Sequence, residues 1–332
     1  MTSRSFPAVP MQQLRIVYMG TPDFAVEPLR RLLDHGCQVV GVVTMPDKPV
    51  GRHQHTLTAS PVKAFALSRG LPVLQPEKLK APEFLEALEA LHADLQIVVA
   101  FRMLPEVVWG MPPRGTFNLH AALLPQYRGA APINWAIIHG EKRTGVTTFF
   151  LDHDIDTGLI IDSAETPISD DDNVETVHDR LMDIGADLVV RTVERIAEGQ
   201  PLGTPQAELM PGTPLRHAPK IFKDDCRIDW HQGVRGVHNF VRGLSPVPAA
   251  WTTLHAAGRP EQVLKIYRTT VEECPVAEPA GTLVSDNRTS LKVACPPTGY
   301  LHLHELQLAG KRRMQASEFL NGFRPAEGDK LE

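Results

Sequence analysis

The stretch LRIVYMGTPDFAVEPLRRLLDHGCQVVGVVT, residues 14–44, decides the fold class. Its two ends, 14–19 and 38–44, are apolar runs rich in β-branched residues, which is typical of strands buried on both faces. Between them the apolar residues recur at helical spacing, with Asp23 as the expected N-cap and Gly36 as the expected end of the helix. The stretch therefore predicts a strand, a helix and a second strand.

The alternation of strands and helices continues through the first half of the chain. Apolar runs at 95–100, 116–119 and 146–151 predict further buried strands. Residues 82–91 and 174–198 have helical periodicity, and the second segment predicts a long amphipathic helix. Because strands joined through helices lie parallel, the pattern predicts an α/β domain with a doubly wound, mostly parallel sheet.

The amino-acid composition changes at residue 201. Residues 201–219 are rich in Pro and Gly without apolar periodicity, which is typical of a linker. Short apolar segments between turn residues then predict the strands of a small β-barrel, at 250–254, 263–267, 282–284, 291–294 and 300–308. We therefore predict a flexible extension (1–12), an α/β domain (13–200), the linker (201–219) and a barrel domain (220–332).

Composition narrows the class of protein. The chain has 332 residues, 42% of them apolar, which suits two domains with sizeable cores. It has no apolar run of about 18 residues that would predict a membrane span, and residues 1–12 lack the apolar core of a signal peptide. The four cysteines (Cys37, Cys226, Cys274, Cys295) are scattered, which is typical of reduced thiols. We therefore expect a cytoplasmic protein without membrane contact.

The charge is distributed unevenly along the chain. The formal net charge is −5, which is not the global signature of a nucleic-acid-binding protein. Residues 1–200 hold 18 Lys and Arg against 25 Asp and Glu, a balance of −7, whereas residues 201–332 hold 16 against 14, a balance of +2. A polyanion is therefore repelled less by the second part of the chain than by the first.

Two polar side chains interrupt the segment FNLHAALLP, residues 117–125. Residues two apart on a strand project to the same side, so Asn118 and His120 share one face at the carboxyl end of a predicted strand. Open α/β sheets bind ligands at this edge. An amide donor beside an imidazole can stabilise a developing oxyanion while a proton moves, although a purely structural role is equally compatible with the sequence.

An acidic loop, LDHDIDTG (151–158), follows the next predicted strand. Asp152, Asp154 and Asp156 are compatible with a solvated loop or with a cation site. The sharper hypothesis is that Asp156 approaches His120 and fixes the tautomer and charge of its imidazole. Under that hypothesis the loop completes a catalytic group on the strand before it.

The motifs FNLHAALLPQYRGAAPINWAIIHGEKRTGVT and LDHDIDTG together resemble the folate-dependent formyltransferase family. Asn118, His120 and Asp156 match that family's catalytic asparagine, histidine and aspartate. The resemblance extends from Leu14 to Pro325, and MGTPDFAV, LTASPVK, GLSPVPAAW and AGKRRMQASEFLNGFRP are most similar to members that formylate methionyl-tRNA. The family implies a Rossmann-like catalytic domain, a linker and a C-terminal barrel resembling an OB-fold.

The resemblance also implies the two substrates and their contacts. The donor is expected to be 10-formyltetrahydrofolate, and the acceptor the α-amino group of initiator methionyl-tRNA, with no metal and no protein partner. The expected folate contacts are Phe101, Arg102, Met103, Leu104, Ala122, Leu123, Leu124, Pro125, Asp152 and Asp154. For the residues at 101–104, an ordinary strand-to-helix turn is also compatible with the sequence.

The sequence departs from the family's pattern at two places. The family usually has a serine at the position of Ala122, and the missing hydroxyl removes one hydrogen bond of about 1 kcal/mol, so we expect altered folate contacts. The loop KPVGRHQHT, residues 48–56, is often lysine-rich in the family, whereas here Lys48 and Arg52 are its cations at neutral pH. Arg52 is the better candidate for a tRNA contact, and a loop that is merely mobile is the alternative.

Basic residues of the barrel domain are the other candidates for contact with tRNA. They are Lys220, Lys223, Lys311, Arg312 and Arg313. Basic residues on a barrel that commonly binds oligonucleotides favour a tRNA-facing surface, and ordinary solvated charges are the alternative for each of them.

Two other functions remain open from the sequence. Some formyltransferases act on a small amine such as an amino sugar nucleotide, and a chain of this fold could also bind tRNA without catalysis. The basic barrel and the LTASPVK segment disfavour the first function. Retention of Asn118, His120 and Asp156 disfavours the second.

Overall fold

The secondary structure comes from a computed structural model, which describes residues 3–50, 56–199, 202–210 and 212–332. The helices are α1 (Val26–Asp34), α2 (Pro61–Ser68), α3 (Pro82–Glu89), α4 (Glu106–Trp109), α5 (Pro132–Ile138), α6 (Val174–Glu198), α7 (Gln206–Leu209), α8 (Gly233–Leu244) and α9 (Ala316–Gly322). The strands are β1 (Arg15–Gly20), β2 (Gln38–Val43), β3 (Lys48–Val50), β4 (Thr56–Thr58), β5 (Val73–Leu74), β6 (Leu95–Val99), β7 (Thr116–His120), β8 (Arg128–Gly129), β9 (Arg143–Phe150), β10 (Ile160–Pro167), β11 (His217–Ala218), β12 (Ala250–His255), β13 (Gln262–Glu273), β14 (Leu283–Ser285), β15 (Leu291–Cys295), β16 (Gly299–Leu308), β17 (Met314–Gln315) and β18 (Lys330–Leu331).

Two compact units divide the chain. The first unit comprises residues 1–129, 144–166 and 178–217, and the second comprises 130–143, 167–177 and 218–332. The second unit therefore includes α5 and the start of α6 as well as the barrel. The domain bounds predicted from the sequence stay a prediction.

A seven-stranded sheet forms the framework of the first unit, in the order β10-β9-β7-β6-β1-β2-β5. Strands β7, β6, β1, β2 and β5 are parallel to their neighbours, and β9 runs antiparallel to β7. Ile16, Ile97 and Phe117, on three adjacent strands, are fully buried. Burial on both faces explains the continuous apolar runs, and the predicted Rossmann-like, mostly parallel sheet is confirmed.

The order of the strands reverses beside β1. The chain passes from β1 to β2 and β5 on one side, and then continues with β6 and β7 on the other side. Such a reversal opens a crevice at the carboxyl ends of the strands, where open α/β sheets bind ligands. His120 is the last residue of β7, so it lies at this edge of the sheet.

The first helix begins later than the sequence predicts. Asp23–Ala25 form a 3-10 turn, α1 starts at Val26, and no side chain caps its first turn. The predicted capping role of Asp23 is therefore wrong, because the extra turn separates it from the helix. Gly36 follows the helix with φ +75°, a conformation that favours glycine, as predicted.

Residues 4–9 hydrogen-bond to distant parts of the first unit, to which they belong. Arg4 and Leu202 exchange two backbone hydrogen bonds of 2.7 Å, and the Val9 amide donates to the Ala197 carbonyl at 2.9 Å. The Arg114 guanidinium donates to the Pro7 carbonyl at 2.7 Å. These contacts involve main-chain groups, which a sequence pattern does not reveal, and the flexible extension predicted for 1–12 stays a prediction.

An antiparallel barrel forms most of the second unit, with the strand order β14-β15-β16-β13-β12-β18 and β17 paired with β16. An isolated bridge between Thr282 and Lys330 joins the two ends of this order and nearly closes the barrel. Helix α8 contributes Val234, Val237 and Val241 to its apolar core. The predicted barrel is confirmed, although β18 was not among the predicted strands.

No helix within the described ranges is both long enough and apolar enough to cross a membrane.

Candidate active site

Asn118 and His120 lie on the same face of β7. Leu119, between them, is 3% exposed and faces α6, where a Cβ on Gly185 would lie 2.9 Å from its Cδ2 atom. His120 is 6% exposed, whereas Asn118 is partly exposed. Within the described residues, the carboxamide of Asn118 has no side-chain hydrogen bond to protein. The strand thus presents a free amide beside a fixed imidazole.

The imidazole of His120 has two different neighbours. Its Nε2 atom is 2.8 Å from the carbonyl oxygen of Tyr127, and its Nδ1 atom is 3.9 Å from Oδ2 of Asp156. Because a carbonyl oxygen only accepts, Nε2 must carry a proton, so Nδ1 is the nitrogen that can exchange one in the neutral ring. The Tyr127 carbonyl therefore favours the tautomer with the proton on Nε2, and the role expected of Asp156 stays a prediction.

The carboxylate of Asp156 lies beyond hydrogen-bond distance of His120, at 3.9 Å. Its side chain is 14% exposed, and its Oδ2 atom accepts a hydrogen bond of 3.0 Å from the backbone amide of Gly129. Its backbone has φ +56°, a left-handed conformation that is uncommon outside glycine. The loop is thus bent so that the carboxylate points back towards β7.

The segment after β7 is fixed by Thr147, which lies opposite His120 on β9. The Thr147 hydroxyl donates to the Ala122 carbonyl at 2.7 Å and accepts from the Leu124 amide at 3.2 Å. Ala122 is fully buried, Leu124 and Pro125 are buried, and Leu123 is partly exposed. Of these four expected folate contacts, Leu123 thus offers the accessible side chain.

The loop after β6 offers a second set of expected folate contacts. The side chain of Met103 is 73% exposed, Phe101 and Arg102 are partly exposed, and Leu104 is buried. The Arg102 guanidinium donates to the carbonyls of Glu77, at 2.8 Å, and Pro76. Burial lowers the pKa of Arg102. Arg102 therefore braces the loop, and Met103 is the side chain that it presents outward.

The two other carboxylates of the acidic loop are less constrained than Asp156. Asp152 accepts the amide of its neighbour His153 at 2.8 Å, and Asp154 is exposed. Nowhere in the part of the chain that the structure describes do three His, Cys, Asp or Glu side chains group as metal ligands would. The cation-site alternative for this loop thus has no ligand set among those residues.

One tRNA candidate of the first unit, Lys48, lies on a hairpin of β3 and β4. Lys48 is exposed and pairs with Thr58, and Arg52 lies outside the described residues. The base of the hairpin is held by an ion pair of 2.6 Å between Lys63 and Asp47. The Ser60 side chain accepts from the Lys63 amide at 3.1 Å and caps α2. The LTASPVK segment thus anchors the hairpin.

Basic and aromatic side chains alternate on the outside of the barrel. Trp251 pairs with Lys265, and Lys265 pairs with Gln307, across three adjacent strands. The Tyr267 hydroxyl donates to Gln307 at 2.6 Å, and the Arg313 guanidinium lies 4.1 Å from the centre of the Tyr267 ring. We call these five residues, with Arg227 and Lys311, the basic face of the barrel.

Both ends of the basic face carry exposed cations. The Arg227 guanidinium is 5.8 Å from the Trp251 ring, whose indole nitrogen donates to the Lys223 carbonyl at 2.8 Å. The Lys220 ammonium is 5.2 Å from the ring of Phe222, which is 61% exposed. The expected residues Lys220 and Lys223 thus lie on a segment that contacts this face.

The three basic residues 311–313 differ in their ion pairing. Arg313 forms an ion pair of 2.7 Å with Glu305, and Arg312 pairs with Glu318. Lys311 is exposed, and among the described residues its ammonium group has no ion-pair partner. Lys311 is therefore the cation of the triplet that is most available to an anionic ligand.

Three contacts at the site were missed by the sequence analysis. The Tyr127 carbonyl is a main-chain atom and leaves no mark in a residue pattern. Thr147 is one of two adjacent threonines in a buried strand, which sequence alone does not distinguish. Gln206 donates to the Asp156 carbonyl at 2.8 Å from within the segment predicted to be a linker. Its 4% exposure, rather than its sequence context, reveals it.

Comparison with known proteins identifies what the chain is similar to. The family described as Formyl transferase matches residues 14–193, and Formyl transferase, C-terminal domain, matches residues 220–324. A relative named methionyl-tRNA formyltransferase, from Parabacteroides distasonis, is 59% identical over 314 residues, which cover 94% of this chain and 97% of the relative. Another of that name, from Bacteroides fragilis, is 56% identical over 322 residues, covering 96% and 98%.

A solved structure shares the fold. HypX from Aquifex aeolicus, in complex with tetrahydrofolic acid, aligns with a TM-score of 0.60 and 18% identity over 93% of this chain and 47% of HypX. This chain thus spans about half the length of HypX. At that identity the likeness concerns the fold alone.

Proposed function

The chain belongs to the formyl transferase family, and we propose that it transfers the formyl group of 10-formyltetrahydrofolate to the α-amino group of methionyl-tRNA. The observation that carries this proposal is the arrangement of Asn118, His120 and Asp156 at the carboxyl end of β7. The named relatives at 59% and 56% identity support the choice of acceptor.

The loops around β7 fit a formyl-folate. Met103 after β6 and Ile155 after β9 are 73% and 59% exposed, although large apolar side chains are usually buried. They flank the strand that carries His120, and the reduced pterin of a formyl-folate, with its flat pyrimidine ring, offers a surface that can cover such side chains. We propose that Met103 and Leu123 contact the donor, with the main chain at 101–104 lining its site. When bound, the donor supplies an activated formyl carbon.

The residues of β7 supply polarisation and proton transfer. The transfer forms one bond between the acceptor nitrogen and the formyl carbon and breaks the bond from that carbon to the donor nitrogen, without oxidation or reduction. Asn118 donates to the formyl oxygen as negative charge develops there. The Nδ1 atom of His120 takes the proton that the amine loses and returns it to the departing nitrogen.

The surroundings of His120 suit this proton transfer. The Tyr127 carbonyl keeps the proton on Nε2, so Nδ1 is free to accept in the neutral ring. The Asp156 carboxylate, 3.9 Å from Nδ1, stabilises the ring while it carries the extra proton. Holding both substrates at one strand end supplies much of the remaining rate gain.

We propose that tRNA contacts Lys48 and Arg52 in the first unit, and Lys220, Lys223, Lys311, Arg312 and Arg313 in the second. Cations interleaved with aromatic rings are typical of surfaces that bind single-stranded or looped nucleic acid. Among the described residues the Lys311 ammonium has no ion-pair partner, and Trp251 and Tyr267 offer partly exposed rings next to cations. We propose a cytoplasmic location, which four free cysteines support.

A transfer assay tests the proposal. The full chain is incubated with formyl-labelled 10-formyltetrahydrofolate and methionyl-tRNA, and the label that becomes attached to the aminoacyl group is counted. Uncharged tRNA is the matched control, and an amino sugar nucleotide is the competing acceptor. Labelling of methionyl-tRNA alone is the expected result. Preferential labelling of the sugar, or tRNA binding without any transfer, would overturn the proposal.

A further inference from the structure

Gln206 is a buried amide whose every polar group is used. The side chain belongs to α7 and is 4% exposed. Its Nε2 donates to the carbonyls of Asp156 and Gly158, at 2.8 and 2.9 Å. Its Oε1 accepts from Nε and Nη2 of Arg128, at 3.1 and 2.6 Å. A carboxamide is suited to this place because it offers two donor hydrogens and an acceptor.

Arg128 is the middle one of three consecutive residues that contact the site. The Tyr127 carbonyl accepts from His120, the Arg128 side chain binds Gln206, and the Gly129 amide donates to Asp156. Gln206 in turn binds the main chain of Asp156. The segment 127–129 and the acidic loop are therefore joined twice, once through Gly129 and once through Gln206.

The acidic loop needs such a restraint. Asp156 has φ +56° and Tyr127 has φ +60°, so both residues that lie next to the His120 ring have a left-handed backbone conformation. Non-glycine residues adopt this conformation only where their surroundings enforce it. At Gly158 a Cβ would lie 1.7 Å from the Phe150 carbonyl oxygen, so the loop also passes very close to the end of β9.

We propose that Gln206 is a positioning residue for formyl transfer, which holds Asp156 and the 127–129 segment in the geometry that His120 requires. This inference rests on the proposed function. It assigns the segment 202–210 a role in the active site, in addition to its place as a connection between the family-matched regions 14–193 and 220–324. Gln206 does not touch the reacting atoms and acts through Asp156.

Replacement of Gln206 by glutamate gives the sharpest variant. Gln206→Glu keeps the shape and still accepts from Arg128, but it has no donor for the carbonyls of Asp156 and Gly158. We expect kcat to fall by about 100-fold, because displacement of a catalytic group by about 1 Å costs that much. The KM for methionyl-tRNA should stay within about threefold, since the tRNA contacts are elsewhere. Glu208→Gln, an exposed change in the same helix, is the matched control.

A double-mutant cycle separates positioning from a general structural role. Gln206→Glu is measured in the natural chain and on an Asp156→Asn background. If Gln206 acts through the Asp156 carboxylate, the second change adds little to the first. Equal losses in both backgrounds would mean that Gln206 only stabilises the fold, and would overturn the inference. Arg128→Met, which opens the same contact from its other side, replaces Gln206→Glu if that variant does not fold.

The outcomes distinguish this inference from the proposed function. If the natural chain does not formylate methionyl-tRNA, the proposed function fails. If the natural chain transfers and Gln206→Glu has the kcat and pH profile of Glu208→Gln, the positioning role alone fails. A selective loss of kcat with a changed pH profile, and without a second loss on the Asp156→Asn background, supports it.

Discussion

The site around His120 and the basic face of the barrel are organised in opposite ways. His120 and Asp156 are mostly buried, and each is oriented by a main-chain group. Lys311 and Arg313 are exposed, and Arg313 forms an ion pair with Glu305 and lies over the Tyr267 ring. The first arrangement holds its side chains through main-chain contacts, whereas the second presents exposed charge.

This contrast indicates how each region should respond to change. A buried catalytic group depends on geometry, so single substitutions should cause large losses that salt does not alter. Phosphate recognition by exposed cations depends on counterion release, so losses should be graded and should depend on salt. Salt-dependent losses from substitutions around His120, or salt-independent losses from substitutions on the basic face, would contradict this contrast.

The largest effect is expected from His120→Ala. Removal of the proton-transfer group should lower kcat by about 100- to 10,000-fold, the usual worth of general acid–base help. Folate binding, measured by titration of fluorescence quenching, should change by a few-fold at most. His35→Ala, an exposed histidine at the end of α1, is the control. Near-normal turnover of a folded His120→Ala variant would exclude His120 from the chemistry.

Asp156→Asn should rank second. The amide keeps the shape of the carboxylate but cannot stabilise the protonated ring 3.9 Å away, and we expect a fall in kcat of about 100-fold. The acidic limb of the pH–rate profile should change for the same reason. Rates recorded between pH 5 and 9 check this. An unchanged rate and profile would mean that Asp156 only shapes its loop.

Charge reversal of Lys311, Arg312 and Arg313 together should have a smaller, salt-dependent effect. Three lost phosphate contacts should reduce the slope of log affinity against log salt by up to about three. Between 50 and 200 mM salt, the natural chain should then lose about 40-fold more tRNA affinity than the variant loses. Folate affinity should not change. Reversal also places like charges beside Glu305 and Glu318, so Lys311→Glu alone is measured too.

The matched control for this triple variant reverses Arg259, Arg288 and Arg324, which are exposed on the same unit and outside the basic face. If both triple variants lose equal tRNA affinity, the loss reflects net charge rather than a defined surface. A triplet variant that binds tRNA as the natural chain does would remove residues 311–313 from the interface.

Ala122→Ser should have the smallest effect. The resemblance predicts that a hydroxyl here adds one folate hydrogen bond of about 1 kcal/mol, which is about fivefold in affinity. The site is fully buried, so the hydroxyl must find a partner there. Folate titration and the unfolding midpoint of the variant check this. A collapse of activity would show that the loop has packed around the alanine methyl group.

The sequence predicted the sheet because burial imposes a simple pattern. Strands with both faces covered, such as β1 and β6, are apolar throughout, and helix α6 at Val174–Glu198 matches its amphipathic period. Shared strand faces also placed Asn118 beside His120. These features depend on local periodicity, which one sequence contains.

Other features depend on contacts between distant residues. The Tyr127 carbonyl and the left-handed Asp156 backbone are main-chain features without a residue signature. Gln206 reaches Arg128 across 78 positions of sequence, from a stretch whose composition is typical of a linker. The closing strand β18, Lys330–Leu331, is too short to be distinguished from a terminal coil.

The most direct test separates the two regions in one experiment. Single-turnover formyl transfer is measured against methionyl-tRNA concentration, at 50 and 200 mM salt, for the natural chain, His120→Ala and the 311–313 charge-reversal variant. The account predicts that His120→Ala lowers the saturating rate equally at both salts, while the triplet variant reaches the natural saturating rate but needs more tRNA and responds less to salt. A triplet variant with a lowered saturating rate and an unchanged tRNA requirement would contradict the division of chemistry and tRNA binding between the two regions.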